Sequence, residues 1–142
     1  MGNRAVIATS DITTSPAIYL HWNGGPESVL AFLHAAKELG FRDPTMDAAY
    51  GTAYLQALIC MFFGNGESTG ISELGNSNTN NGDNGTYRLG KGFTIKSRMH
   101  APRNDKATTV DKLSPDMLKK YVDVKARVIR QWRASQDAKK ES

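Results

Sequence analysis

The chain has 142 residues, 39% hydrophobic and 23% charged, with a net charge of +4; this suits one globular domain and excludes a fibrous or wholly disordered chain. Its single cysteine, Cys60, rules out an internal disulfide and fits a reducing compartment. No apolar run reaches the roughly 20 residues of a membrane helix, and the first residues lack the apolar core of a secretory signal, so a cytoplasmic protein is expected.

Arg4–Thr9 (RAVIAT) predicts a short strand, followed by a polar turn over residues 10–15. Ala17–Trp22 (AIYLHW) predicts a second strand, because Ile, Tyr and Trp suit a pleated, half-buried surface. This strand runs into Asn23-Gly24-Gly25-Pro26. Pro26 fits the first position of a helix, where its missing N–H has no partner to lose. Gly25 is then the N-cap, Val29, Phe32, Leu33 and Ala36 recur at helical spacing, and Gly40 ends the helix. A glycine pair at a helix start can cradle an anion. Here Glu27 already puts a carboxylate in the first turn, so the glycines are read as a strand-to-helix corner.

Asp43-Pro44 predicts the start of a second helix, running to Phe63 before Gly64. Between Ala48 and Phe63 (AAYGTAYLQALICMFF) only Thr52 and Gln56 are clearly polar. Such a helix is expected to be wrapped on all sides, at the centre of the core. Gly51 lowers helix propensity by about 1 kcal/mol relative to Ala, which points to a close approach by another backbone. Gly64–Gly70 (GNGESTG) follows a helix and lacks the lysine of a nucleotide loop, so it reads as a helix stop and turn. It leads into a strand-like TGISEL and then the Asn/Gly tract of residues 75–85, an expected exposed loop. TYRL, a Gly-Lys-Gly turn and FTIKSR predict a hairpin. Its alternation turns Phe93, Ile95 and Ser97 inward and Thr94, Lys96 and Arg98 outward, with Arg88 and Lys91 extending the basic face.

Residues 99–113 have no apolar period and read as a connector. Ser114-Pro115-Asp116 is a helix start, opening a helix over 114–135 with a frayed tail at 136–142. Met117, Tyr121, Val124, Val128, Ile129 and Trp132 form its apolar stripe. Lys119, Lys120, Lys125, Arg127, Arg130 and Arg133 occupy its other faces. A helix this polar is marginal alone, so the stripe is expected to dock on the body of the protein, on a partner, or on a second copy in a homodimer. The expected fold is α+β: a small antiparallel sheet packed on a buried central helix and a second helix, with a C-terminal basic amphipathic helix. Residues 1–98 form the core and the helix belongs to the same domain.

Residues 1–85 carry three Lys and Arg against eight acids, and residues 86–142 carry fifteen against six, so the two parts are −5 and +9. This asymmetry points to an acidic partner. The candidate contact set is Arg88, Lys91, Lys96, Arg98, Lys119, Lys120, Lys125, Arg127, Arg130 and Arg133. His21, His34 and His100 stand apart from other ligand-type residues, so no metal, cofactor or catalytic residue is expected. Cys60, within LICMFF, reads as an inert thiol.

Four blocks carry a resemblance: Gly2–Ala8 (GNRAVIA), Ile18–Leu33 (IYLHWNGGPESVLAFL), Tyr50–Ile71 (YGTAYLQALICMFFGNGESTGI) and Asp83–Ile95 (DNGTYRLGKGFTI). Together they resemble a family of small proteins from phages, plasmids and integrated elements, in which a YLHWNGG corner, a YG-led helix ending FFG and a DNG-Y hairpin recur in this order. The likeness covers about the first two-thirds of the chain; the basic helix lies beyond it. Such genes include anti-CRISPR and antirestriction inhibitors of host defence. The resemblance thus implies a non-enzymatic binding protein in the cytoplasm of a host bacterium. It would inhibit a nucleic-acid defence complex by occupying a protein or nucleic-acid surface, the expected partner being a host ribonucleoprotein or other acidic protein surface, or nucleic acid. Two alternatives stand beside it: a regulator that binds nucleic acid directly, and an enzyme modifying a host protein at a cluster of His21 with Tyr50 or Glu67.

Overall fold

The computed structural model describes residues 3–64, 67–100 and 103–141. In chain order the main elements are β1 (Ala5–Ala8), β2 (Pro16–Leu20), α1 (Pro26–Glu38), α2 (Ala48–Phe63), β3 (Thr69–Glu73), β4 (Thr86–Gly90), β5 (Thr94–His100), β6 (Arg103–Asp105) and α3 (Pro115–Glu141). The strands form one sheet in the order β3-β2-β1-β4-β5-β6. Among the described residues only the β1–β4 pair is parallel. The fold is α+β as expected, with six strands and the helices gathered on one face.

Alternation along the strands divides the sheet into two faces. Ala5, Ile7, Ile18, Leu20, Tyr87, Leu89 and Ile95 enter the core beneath the helices. Val6 and Ala8 are equally buried but point the other way, to the face on which Thr86, the neighbour of Val6, donates to the Thr79 carbonyl of the Asn/Gly tract. That tract is a largely exposed loop, as expected, and it is also internally organised. The Asn81 amide donates to the carbonyls of Asn78 and Gly85 at 3.1 and 3.0 Å and accepts from the N–H groups of Asp83 and Gly85. Asp83 pairs with Arg4 at 2.8 Å, fixing the end of the tract to β1.

The Asn23–Pro26 corner is structural. The Gly24 N–H donates to the Asn3 carbonyl at 2.9 Å, and its own carbonyl accepts from the buried Tyr87 hydroxyl at 2.8 Å. A Cβ on Gly24 would stand 2.5 Å from the Asn3 oxygen, so β1 and the corner can meet only at glycine. Gly25 caps α1 without a side-chain bond, and Pro26 follows at its start. The Glu27 carboxylate folds back over Gly25 and meets Lys120 at 3.3 Å. The anion at this helix terminus is therefore one of the chain's own.

The central buried helix is α1 and not α2. Residues 27–33 of α1 are all buried, because the sheet covers one side and α3 and α2 cover others. On α2, Leu55, Leu58, Ile59 and Phe62 are buried, whereas Ala49, Tyr50, Ala53, Tyr54 and Ala57 are exposed. Apolar composition on every side therefore signalled an uncovered face, not a wrapped helix. Helix α2 also starts later than expected, at Ala48. The Asp43 carboxylate accepts from the Thr45 N–H and hydroxyl, making a local turn. Asp47 then caps α2 by accepting the Tyr50 N–H at 3.1 Å.

Helix α3 is part of the core. Val124, Val128 and Ile129 are buried, and the Trp132 ring lies 4.9 Å from Phe41 and 6.3 Å from Tyr54. His34 Nδ1 and the Tyr121 hydroxyl are 2.6 Å apart. The helix continues to Glu141, beyond the 135 expected, and the tail of 136–142 is helical as far as it is described. The connector of 99–113 holds the end of β5, all of β6, and a short 3-10 turn at Val110–Lys112. Residues 101–102 lie outside the described residues. No helix among the described residues is long and apolar enough to cross a membrane.

Candidate functional site

The ten cationic residues singled out from the sequence do not share one face. The expected alternation along β5 fails because the β4–β5 register slips between Arg88 and Leu89. Arg88 faces Ser97 while Leu89 faces Ile95, leaving Lys96 as the extra residue of a bulge. Lys96 is exposed. Arg98 is turned under the helices, where its guanidinium lies 5.0 Å from the centroid of the Tyr87 ring. Its Nε and Nη2 donate to the Asn84 carbonyl and side-chain oxygen, both at 3.1 Å. Arg88 is ion-paired with Asp11 on the opposite face of the sheet. Lys91 stands at the hairpin tip near Asp43. Burial works against that carboxylate's charge, but the N–H of Gly92 and the N–H and hydroxyl of Thr45 hold it below its ordinary range.

On α3 the set divides again. Lys120 meets Glu27, Arg127 covers the Phe62 ring at 4.7 Å, and Lys125 is half-buried on the His34 side. These three help to seat the helix. Lys119, Arg130 and Arg133 are exposed. Within 4.0 Å, no acid among the described residues pairs with any of the three. Arg130 and Arg133 border a shallow depression that also includes Glu38 and Asp137.

A second cationic feature was not foreseen. Pro26 at the start of α1, Arg98 on β5, Asp105, Lys106, Lys112 and Met117 line an open groove of about 410 Å3, so three cations and one acid face it. Lys106 and Lys112 fall in the 99–113 connector. The helix start at Ser114 placed Lys112 near an N-terminus, but the β5–β6 pairing that brings it near Arg98 left no mark in the local pattern. Strand β6 is three residues long, too short for period-2 alternation to register.

The residues considered for chemistry have structural surroundings. His21 Nδ1 is 2.8 Å from the Tyr19 hydroxyl, and its ring meets Trp22 edge-on at 4.8 Å. His100 Nε2 lies 2.7 Å from Asp105. Cys60 is half-buried and accepts from the Gln56 amide at 3.6 Å. Tyr50 lies under Arg42. No cluster of three or more His, Cys, Asp or Glu among the described residues is arranged to hold a metal ion.

The exposed cations and the groove are placed to contact an acidic surface. The groove reaches the start of α3 at Leu113 and Met117, whereas Lys119, Arg130 and Arg133 lie on the outward side of that helix, Arg130 and Arg133 at the second depression. Comparison of the chain with protein-family models, with curated proteins and with solved structures gives no match.

Proposed function

We propose that this chain is a non-enzymatic binding protein of a mobile element that inhibits a host nucleic-acid defence complex by occupying an acidic surface of that complex. The observation that carries the reading is the set of exposed cations on the helix side. Lys106 and Lys112 line the groove, and Lys119, Arg130 and Arg133 stand exposed on the outward side of α3. Exposed cations at fixed spacing on a rigid helix steer an acidic partner and set its register more than they add raw affinity. The motif resemblance supplies the setting, and the groove supplies a concave place to seat a protruding acidic segment.

The test is capture of partners from a bacterium that expresses the chain, scored beside inhibition of the defence system. Reversal at Arg130→Glu with Arg133→Glu, or at Lys106→Glu with Lys112→Glu, should abolish both while the chain stays folded. These side chains lie outside the core. Inhibition that survives both double reversals refutes the surface. A chemically altered target recovered in excess over the inhibitor would replace binding with catalysis.

A further inference from the structure

Two unsatisfied features lie side by side at one end of the molecule. The first is the outer edge of β3. This strand pairs with β2 through five consecutive positions without a bulge, and no strand among the described residues pairs with its other side. Thr69–Glu73 (TGISE) has no proline or lysine to block a further strand, whereas the opposite edge, β6, is only three residues long. The second is the outward face of α2. Met46 just before it and Tyr50 and Tyr54 on it are 74%, 60% and 46% exposed, with Ala49, Ala53 and Ala57 exposed between them. From Ala48 to Phe63 the helix carries no charged residue. The Gln56 amide donates to the Thr69 hydroxyl at 3.2 Å, which places α2 over β3. Ile71 pairs with the core residue Ile18, so it points to the helix side, yet it remains 50% exposed beside α2.

We propose that both features are covered by a second copy of this chain. The β3 edges pair antiparallel across a two-fold axis at Ile71, and the α2 helices meet above the joint. An axis normal to the sheet keeps both sets of helices on one face and sets the two α2 helices antiparallel. The contact is isologous, so it must tolerate itself. In this register Ile71 meets Ile71, Gly70 meets Ser72, and Glu73 faces Thr69 instead of another acid. Helix α2 itself brings no charged side chain to the contact, Arg42 lies over the Tyr50 ring near its N-terminal end, and the opposed dipoles set each N-terminus beside the other's C-terminus. Asp47 and Glu73 at the margins disfavour a polyanion at this place. Exposed tyrosines between small residues suit the core of such a contact. Val124, Val128 and Ile129 of the α3 stripe are docked on the chain's own core and are not free for a second copy.

The test is the mass of the full chain by sedimentation equilibrium over a range of concentrations. The wild-type protein should reach twice 15.5 kDa. Ile71→Lys and Ala53→Arg, both at exposed positions, should each weaken the dimer by at least about tenfold, roughly 1.4 kcal/mol, with unchanged circular dichroism. In a Cys60→Ser background, Ile71→Cys should form a disulfide dimer on mild oxidation far faster than Ile12→Cys, an exposed loop control. A wild-type mass of 15.5 kDa at every concentration overturns the proposal, including the case in which β3 accepts a strand from another protein. So does a dimer that withstands both substitutions, or cross-linking at Ile71 no faster than at Ile12.

Discussion

His34 Nδ1 and the Tyr121 hydroxyl, 2.6 Å apart, join the central helix α1 to the cationic helix α3. Burial lowers the His34 pKa below its ordinary 6.5, and Lys125 from α3 and Lys37 from α1 lower it further. The Tyr121 phenol is shifted upward by burial and by Glu38, so it remains a neutral hydroxyl. A histidine that binds its proton more weakly when folded leaves the unfolded chain with more protons below 6.5. Its contribution to stability is therefore complete above 6.5 and declines as pH falls from there through the folded-state value. The melting temperature should drop between about pH 7 and pH 5, and His34→Gln should flatten that part of the profile. An unchanged profile in the variant would show that His34 has no part in it.

The buried positions of α3 make it indispensable to the fold. Ile129→Ala should cost about 2 kcal/mol or more, from lost burial and the cavity left behind. A chain ending at Leu113 should fail to unfold cooperatively in urea, because its loss uncovers α1. A truncated chain with a sharp transition would show instead that α3 is an appendage.

Gly51 is a helical glycine whose replacement by alanine should destabilise. In an open helix that change gains about 1 kcal/mol. Here the added Cβ would meet Pro44 Cα and N at 2.7 Å and the Arg42 carbonyl at 2.9 Å, all of them backbone. Overpacking of this kind costs about 1–3 kcal/mol, and chemical denaturation of Gly51→Ala should read a net loss.

Tyr87 is fully buried and donates to the Gly24 carbonyl. Tyr87→Phe leaves that carbonyl without its donor, at a cost of about 1–3 kcal/mol. Burial, reinforced by Glu27 and opposed by Arg98, raises the phenol well above its ordinary 10.0. The folded chain holds this proton after the unfolded chain has released it, so the contribution is complete below 10 and is lost as pH rises beyond. Ultraviolet titration should find one tyrosine that ionises only as the protein unfolds.

Much of the molecule was legible because its signals are local. Pro26 behind Gly25, the spacing of Val29, Phe32 and Leu33, and the Ser114-Pro115 start each act within one helical turn, and each element lies where those residues put it. The close approach at Gly51 was also readable, since a glycine within a helix has few other reasons to be there. The cationic surface was less so. The charges of Arg88, Lys96 and Arg98 were plain, but their directions depend on a bulge set by pairing between two strands. Lys106 and Lys112 reach Arg98 only through β6.

The amino-acid sequence by itself determined the element types, the corner at Gly24-Gly25 and the concentration of cations after residue 85, because propensity, capping and charge belong to short stretches of chain. Only the tertiary structure decided which helix is central. Helices α1 and α2 are both rich in apolar residues, and coverage depends on what lands on each. Helix α3 crosses α1 and leaves one side of α2 bare, so the helix with the more uniform apolar sequence is the one that offers a surface to a second chain.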